Sequence, residues 1–244
     1  MVAPGSVRVR WSSERYFYTG MAIVLFATVV LGFSRSFFLR PLFPEFHDRT
    51  PKETFFYIHG GIFALWYLLF IVQPALIARR RVAQHRTLGW WGAGLTVVML
   101  VVGAWGSLLA ARRPGGFLDI PMPPAVFLIV PLFDLLLFAL FIALAIARRD
   151  DPQAHKRWML IASISIVTAA VARWPFAFMA GGPPVFFGVT DDFLLPLLIW
   201  DLYSRRRPHP VTIVGSLVLI VSQPLRLALS GTAAWQAIAS WLIG

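Results

Sequence analysis

Residues 123–149 read PPAVFLIVPLFDLLLFALFIALAIARR. Between Pro123 and Ala147 there is one ionisable side chain, Asp134, and the run stops at Arg148 and Arg149. A hydrocarbon core of about 30 Å takes roughly 20 apolar residues in a helix, so this segment is long enough to cross a bilayer. Six further stretches read the same way. The seven spans are about 16–33, 54–78, 88–111, 123–147, 158–178, 185–204 and 211–230. Prolines at 121, 123, 124, 183, 184, 208 and 210 mark helix ends, where a missing N–H costs least.

The composition agrees. Of the 244 residues 58% are hydrophobic and 14% charged, whereas a soluble domain runs at about 45–50% apolar and about 25% charged. A water-facing globule of this size cannot bury that much apolar surface. The expectation is one all-α membrane domain over 1–244. The chain has no cysteine, which removes disulfides, thiolate metal sites, Fe–S clusters and cysteine nucleophiles together. The net charge of +11 sits in short loops beside apolar runs, where it sets topology and meets anionic lipid headgroups, not nucleic acid.

Arginine placement predicts the orientation. With the N-terminus in the cytoplasm, the inner segments hold fourteen of the 22 Lys and Arg residues: 8, 10, 15, 79–81, 86, 148, 149, 156, 157 and 205–207. The outer loops hold six, at 35, 40, 49, 52, 112 and 113. Fourteen against six places the N-terminus inside and the C-terminus outside. The first span starts late and has no small-residue cleavage site after it, so it reads as an anchor. In the tail 231–244, Trp235, Ile238, Trp241 and Leu242 recur at helical spacing. That predicts a short interfacial helix on the outer face, with a partial re-entrant segment as the alternative.

Three inner loops share a pattern: ALIARRRVAQHRTLG (75–89), ALAIARRDDPQAHKRWM (143–159) and DLYSRRRPHPVTIVG (201–215). Each ends a helix in arginines and begins the next just after His85, His155 or His209. This predicts three helix hairpins (spans 2–3, 4–5 and 6–7) after a solitary first span. The HRTLG (85–89) and HKRWML (155–160) turns, with ARWPF (172–176) and HPVT (209–212), resemble families of uncharacterised bacterial multi-pass membrane proteins. The resemblance covers spans 2 to 7 and implies a bacterial inner-membrane location. A more distant likeness is to four-helix membrane haem proteins of the cytochrome b kind. From those the sequence departs, because it lacks histidines facing each other within neighbouring spans.

Ionisable groups inside spans are costly, and each is a functional candidate. Arg173 and Arg226 each lie fifteen residues into their spans, about 22 Å from the inner surface. His59 enters at about 8 Å from the outer end. Asp191 and Asp192 lie at a comparable level, and Asp134 is near the midplane. Thr212, Ser216, Gln223, Arg226 and Ser230 share one face of span 7, and such a stripe must face protein or water. Pro175 and Pro224 would free carbonyls beside these sites.

The expectation is an outward-opening polar cavity among spans 2, 4, 5, 6 and 7. Arg173 and Arg226 would bind an anionic or amphipathic small ligand, His59 and Asp192 would orient it, and Asp134 and Gln223 would line it. Transport, sensing or delivery all fit. Structural ion pairs, Arg173–Asp192 and Arg226 with Asp134 or Asp191, are the alternative, as are arginines snorkelling to the interface.

Two rivals come from other classes. One is a redox protein using His85, His155 and His209 for haem b or a metal, with Asp150, Asp151 or Asp201 as a further ligand. Arg86, Lys156 and Arg157 crowd those histidines. The other is an accessory or assembly subunit of a larger membrane complex. A rhodopsin-like Schiff base is excluded, since the only lysines are Lys52 and Lys156, in or beside loops. Walker, H-E-x-x-H and G-x-S-x-G motifs are absent. Gly181–Pro184 reads as a reverse turn. The pairs Gly92/Thr96, Gly103/Ser107 and Gly106/Ala110, with Gly60 and Gly61, predict close packing of spans 2 and 3. The 21 Phe and 10 Trp read as mostly lipid-facing and interfacial.

Overall fold

The structure is a computed structural model that describes residues 4–44, 54–118, 120 and 122–244, with side chains from residue 14 onward. Arg49 and Lys52, and the side chains of Arg8 and Arg10, therefore lie outside the described residues. Among the described residues the regular structure is all helical, with no strand. The long helices are α1 (Pro4–Gly32), α2 (Thr54–Ala78) and α3 (Val82–Ala111). The short α4 (Pro124–Phe127) leads into α5 (Ile129–Ala147). There follow α6 (Pro152–Ser165), α7 (Thr168–Val171), α8 (Pro183–Asp192), α9 (Leu194–Arg205), α10 (Pro210–Ser230) and α11 (Ala233–Ile243). A single π-helical turn, Ser34–Phe38, follows α1. Five stretches are long and apolar enough to cross a membrane: Glu14–Gly32, Thr54–Ala78, Val82–Ala111, Pro124–Ala147 and Pro210–Ser230.

The fifth and sixth apolar runs of the sequence are broken, each for a local reason. Between α6 and α7 the backbone tightens, with Val167 N–H donating to Ile164 O at 3.1 Å. Ser165 Oγ donates to Ala162 O and Thr168 Oγ1 to Ser165 O, and such hydroxyls compete with the helix for its own carbonyls. Between α8 and α9 the break falls at Phe193. Pro196, three residues on, supplies no N–H to Asp192 O, and its ring crowds that carbonyl.

Packing differs from the hairpin expectation in two places. The first helix is not solitary, because α1 packs along α2 as closely as many neighbours in the bundle do. Helix α10 packs mainly on α6 and α5, and only lightly on α9. The centre is α5 and α6. Residues 160–165 of α6 are all buried, as a helix surrounded by others must be. Outward faces such as Leu65, Leu68 and Val72 of α2, or Leu217 and Val221 of α10, are exposed and apolar.

The helix ends are joined by specific contacts. At the arginine-rich end, Arg15 Nη1 donates to Ala78 O at 3.3 Å, and Lys156 pairs with Glu14. At the opposite end, α11 is tied down by Arg112, which donates to Ile243 O (2.9 Å) and Leu242 O (2.7 Å). Trp235 Nε1 donates to Ala125 O at 2.8 Å.

Two predictions arise here. A Cβ at Gly32 would lie 2.1 Å from Ala170 O, so α1 meets α7 only because this residue has none. Gly32→Ala is expected to destabilise by about 1–3 kcal/mol, read as a lower thermal midpoint in detergent. The second concerns Asp151, the N-cap of α6, which accepts from Gln153 N–H and Ala154 N–H. The Ala154 N–H, and then that of Gln153, holds its carboxyl below the usual carboxylate range. A depressed value stabilises above the unfolded pKa of about 3.9 and is lost as pH falls through the lower folded value. Asp151→Ala should cost about 1 kcal/mol at neutral pH. The gap from the parent protein should close on acidification below that range.

Candidate functional site

A cavity of about 240 Å³ opens near the end of the bundle opposite the arginine runs. Its walls come from α2, α3, α5 and the end of α7, with Val29 of α1, the turn after it and Phe186 of α8. Phe37, Phe63, Phe117, Phe127 and Phe186 line it, so part of the aromatic load expected to face lipid faces this space.

Three of the six expected site residues line this cavity: His59, Asp134 and Arg173. Arg113, read in the sequence as a loop charge, joins them. Its guanidinium lies 4.3 Å from the Phe56 ring centroid, while that of Arg173 lies 5.1 Å from Phe33 and donates to Ala169 O at 2.6 Å. Both follow helix ends by two residues (Ala111 and Val171). His59 stacks on Phe63, with centroids 4.5 Å apart and planes at 16°. Its Nδ1 faces Val102 O at 3.4 Å. Gly106 makes room for the imidazole, since a Cβ there would come within 3.0 Å of Nδ1.

Arg226, Gln223 and Asp192 do not line the cavity, and neither does any other residue of α10. The polar stripe of α10 turns instead to the far side of α5. Arg226 is fully buried and donates from Nη1 to Asp134 Oδ1 at 2.5 Å and from Nη2 to Ser222 Oγ at 2.9 Å. It also lies 5.0 Å from the Phe187 ring. Gln223 Nε2 donates to Asp191 Oδ1 at 2.7 Å, and Asp192 is exposed. The anticipated Arg226–Asp134 pair is therefore present, and Asp134 alone belongs to both the pair and the cavity wall. Pro224 widens nothing here.

A second buried node was not anticipated. Arg157 has no exposed surface and is bound by both carboxylate oxygens of Asp201 and by Gln153 Oε1. Asp201 Oδ2 also accepts from Thr212 Oγ1 (2.5 Å) and His209 N–H (2.9 Å). This ties α6, α9 and α10 together at the arginine-rich end. The only sequence signal was an Asp four residues ahead of an arginine run.

The histidine expectations change as well. His85 and His155 lie inside their helices, not before them. Their rings meet at 6.4 Å and 88°, and His155 Nδ1 donates to Ala145 O at 2.8 Å. His209 caps α10, with Nδ1 accepting from Val211 N–H at 3.1 Å. That role needs a neutral ring. Burial, then the charges of Arg157 and Arg205, lowers its pKa and keeps it so. Among the described residues no group of three or more His, Cys, Asp or Glu is arranged to hold a metal ion. The proposed convergence of His85, His155 and His209, with Asp150, Asp151 or Asp201 added, is not formed. Comparison with protein-family models, curated proteins and solved structures finds no match to this chain.

Proposed function

We propose that the chain is an integral membrane protein that holds an anionic, amphipathic small ligand in the cavity between α2, α3, α5 and α7. The observation that carries this reading is the arrangement of two guanidiniums, Arg113 and Arg173, on the rim of a cavity whose walls are rich in aromatic rings and hold a few polar groups. An apolar body gains from leaving water, and a carboxylate or phosphate head gains charge-assisted hydrogen bonds from arginine. Arg226 is not a ligand residue in this reading. It holds Asp134 in place.

The finer topology belongs to the same proposal. Residues 152–171 and 183–205 each bridge one helical break and are about 30 Å or more in length, which makes seven crossings with the five longer stretches. The arginine distribution places the N-terminus and the arginine-rich end in the cytoplasm, so the cavity opens outward. The HRTLG and HKRWML turns favour a bacterial inner membrane. Transport, sensing and delivery remain the roles such a site serves.

Octanoate, followed by equilibrium dialysis against the purified protein, tests the reading. It is expected to bind, and Arg113→Gln with Arg173→Gln should weaken it by about tenfold or more. Octanol should be unaffected. Octanoate binding that ignores both substitutions would sink the proposal.

A second reading, a haem or metal protein of the inner-side histidines, is favoured by the approach of His85 to His155 alone. Bis-histidine haem uses two imidazoles at one depth. A visible spectrum, oxidised and then dithionite-reduced, decides it: a Soret band with a sharpened α band on reduction supports that reading, and a featureless spectrum from cells supplying haem removes it.

A further inference from the structure

We infer that the cavity selects a ligand bearing a hydrogen-bond donor, a hydroxyl or an ammonium, at the end remote from its anionic head. This rests on the reading above and names the ligand class for the same site. Ser36, in the turn after α1, and Tyr57, in the first turn of α2, also line the cavity, at the same end as Arg113 and Arg173; the inference comes from a count of hydrogens among the polar groups deeper than these. Ser107 Oγ donates to Gly103 O at 2.8 Å, Thr168 Oγ1 to Ser165 O at 3.3 Å, and Tyr67 Oη to Ser163 O at 2.9 Å. Each lines the cavity with its hydrogen already given to backbone, so it presents only lone pairs. His59 Nδ1 lies 3.4 Å from Val102 O, which can only accept, and the neutral tautomer that uses this contact carries its proton on Nδ1 and presents Nε2 as an acceptor. Asp134 completes the set. Arg226 takes Oδ1, no donor reaches Oδ2 among the described residues, and the side chain keeps 9% exposure.

The donors and acceptors are segregated by depth. Arg113 and Arg173 lie beyond their helix ends. Counting along the helices, Ser107 is about 6 Å, His59 about 8 Å and Asp134 about 15 Å deeper. An anion at the rim thus leaves its tail among acceptors that have no hydrogen to offer. A purely apolar tail buries those lone pairs unsatisfied, whereas a donor at its tip meets them.

This fixes a sign. In a merely greasy cavity, adding a hydroxyl to the tail weakens binding, because the hydroxyl loses its water. Here it should strengthen binding. Octanoate, ω-hydroxyoctanoate and ω-aminooctanoate are compared by equilibrium dialysis on the full chain in detergent. Expected is about tenfold tighter binding of the hydroxy acid than of octanoate, or about 1.4 kcal/mol, with the amino acid at least as tight. Two variants then test the source. Asp134→Leu with Arg226→Met removes the carboxylate and its counterion together. His59→Phe keeps the stack on Phe63 and removes Nε2. Each should shrink the preference toward unity, and His59→Phe decides alone should the paired variant not fold. Equal or weaker binding of the hydroxy acid overturns the inference while leaving the anion site standing, as does a preference that survives both variants. Octanoate failing to bind at all overturns the earlier reading instead.

Discussion

Arg157→Ala is expected to cost about 3–5 kcal/mol, the range for removing one partner of a buried ion pair. An SDS titration in mixed micelles, followed by helical circular dichroism, reads the loss. The cost arises because Asp201 would be left charged and enclosed among α6, α9 and α10. Replacing both partners, Arg157→Leu with Asp201→Leu, should recover only part of the stability. Many buried pairs exchange for apolar residues at little cost, but Asp201 also accepts from Thr212 Oγ1 and His209 N–H. With the carboxylate gone, both donors are stranded in a buried place, at about 1–3 kcal/mol each. A paired variant as stable as the parent would show that the node carries no such load.

The contrast between what the sequence disclosed and what it withheld has a physical pattern. Thr54–Ala78 came directly from an uninterrupted apolar run, and α10 from a proline-started one, because hydrophobic length is a local property. The breaks at Ile166–Val167 and Phe193 were not foreseen, since they depend on hydroxyls and a proline acting three or four residues back along the helix. The stripe of α10 was visible as periodicity, but periodicity names a face and not the neighbour that meets it. Hence the stripe alone points Arg226 at a shared cavity, whereas the cavity lies on the other side of α5. Arg157 shows the same limit. In the sequence it reads as a loop charge because basic residues cluster at helix ends, and only its bond to Asp201 of α9 and its full burial reveal that it is enclosed. Arg113 escaped for a related reason: two residues past a helix end, nothing local separates a rim residue from a headgroup contact.

Arg226→Met alone is expected to cost about 3–5 kcal/mol, because Asp134 then stands as an uncompensated charge between α5 and α10. Arg226→Met with Asp134→Leu should recover nearly all of it, unlike the pair at the arginine-rich end. The difference lies in what else each carboxylate holds. Among the described residues Asp134 accepts from Arg226 alone, and it also lines the cavity. Removing both strands no donor, and Ser222 Oγ still donates to Leu219 O. If apolar residues replace the pair at no cost in stability, the place of Asp134 on the cavity wall is what sets it apart from a structural tie. The paired variant should therefore melt within a few degrees of the parent, a shift of about 1 kcal/mol or less, while losing its discrimination between ω-hydroxyoctanoate and octanoate. If it melts much lower, the pair is a structural tie like Arg157–Asp201. Asp134 then faces the cavity only because α5 does.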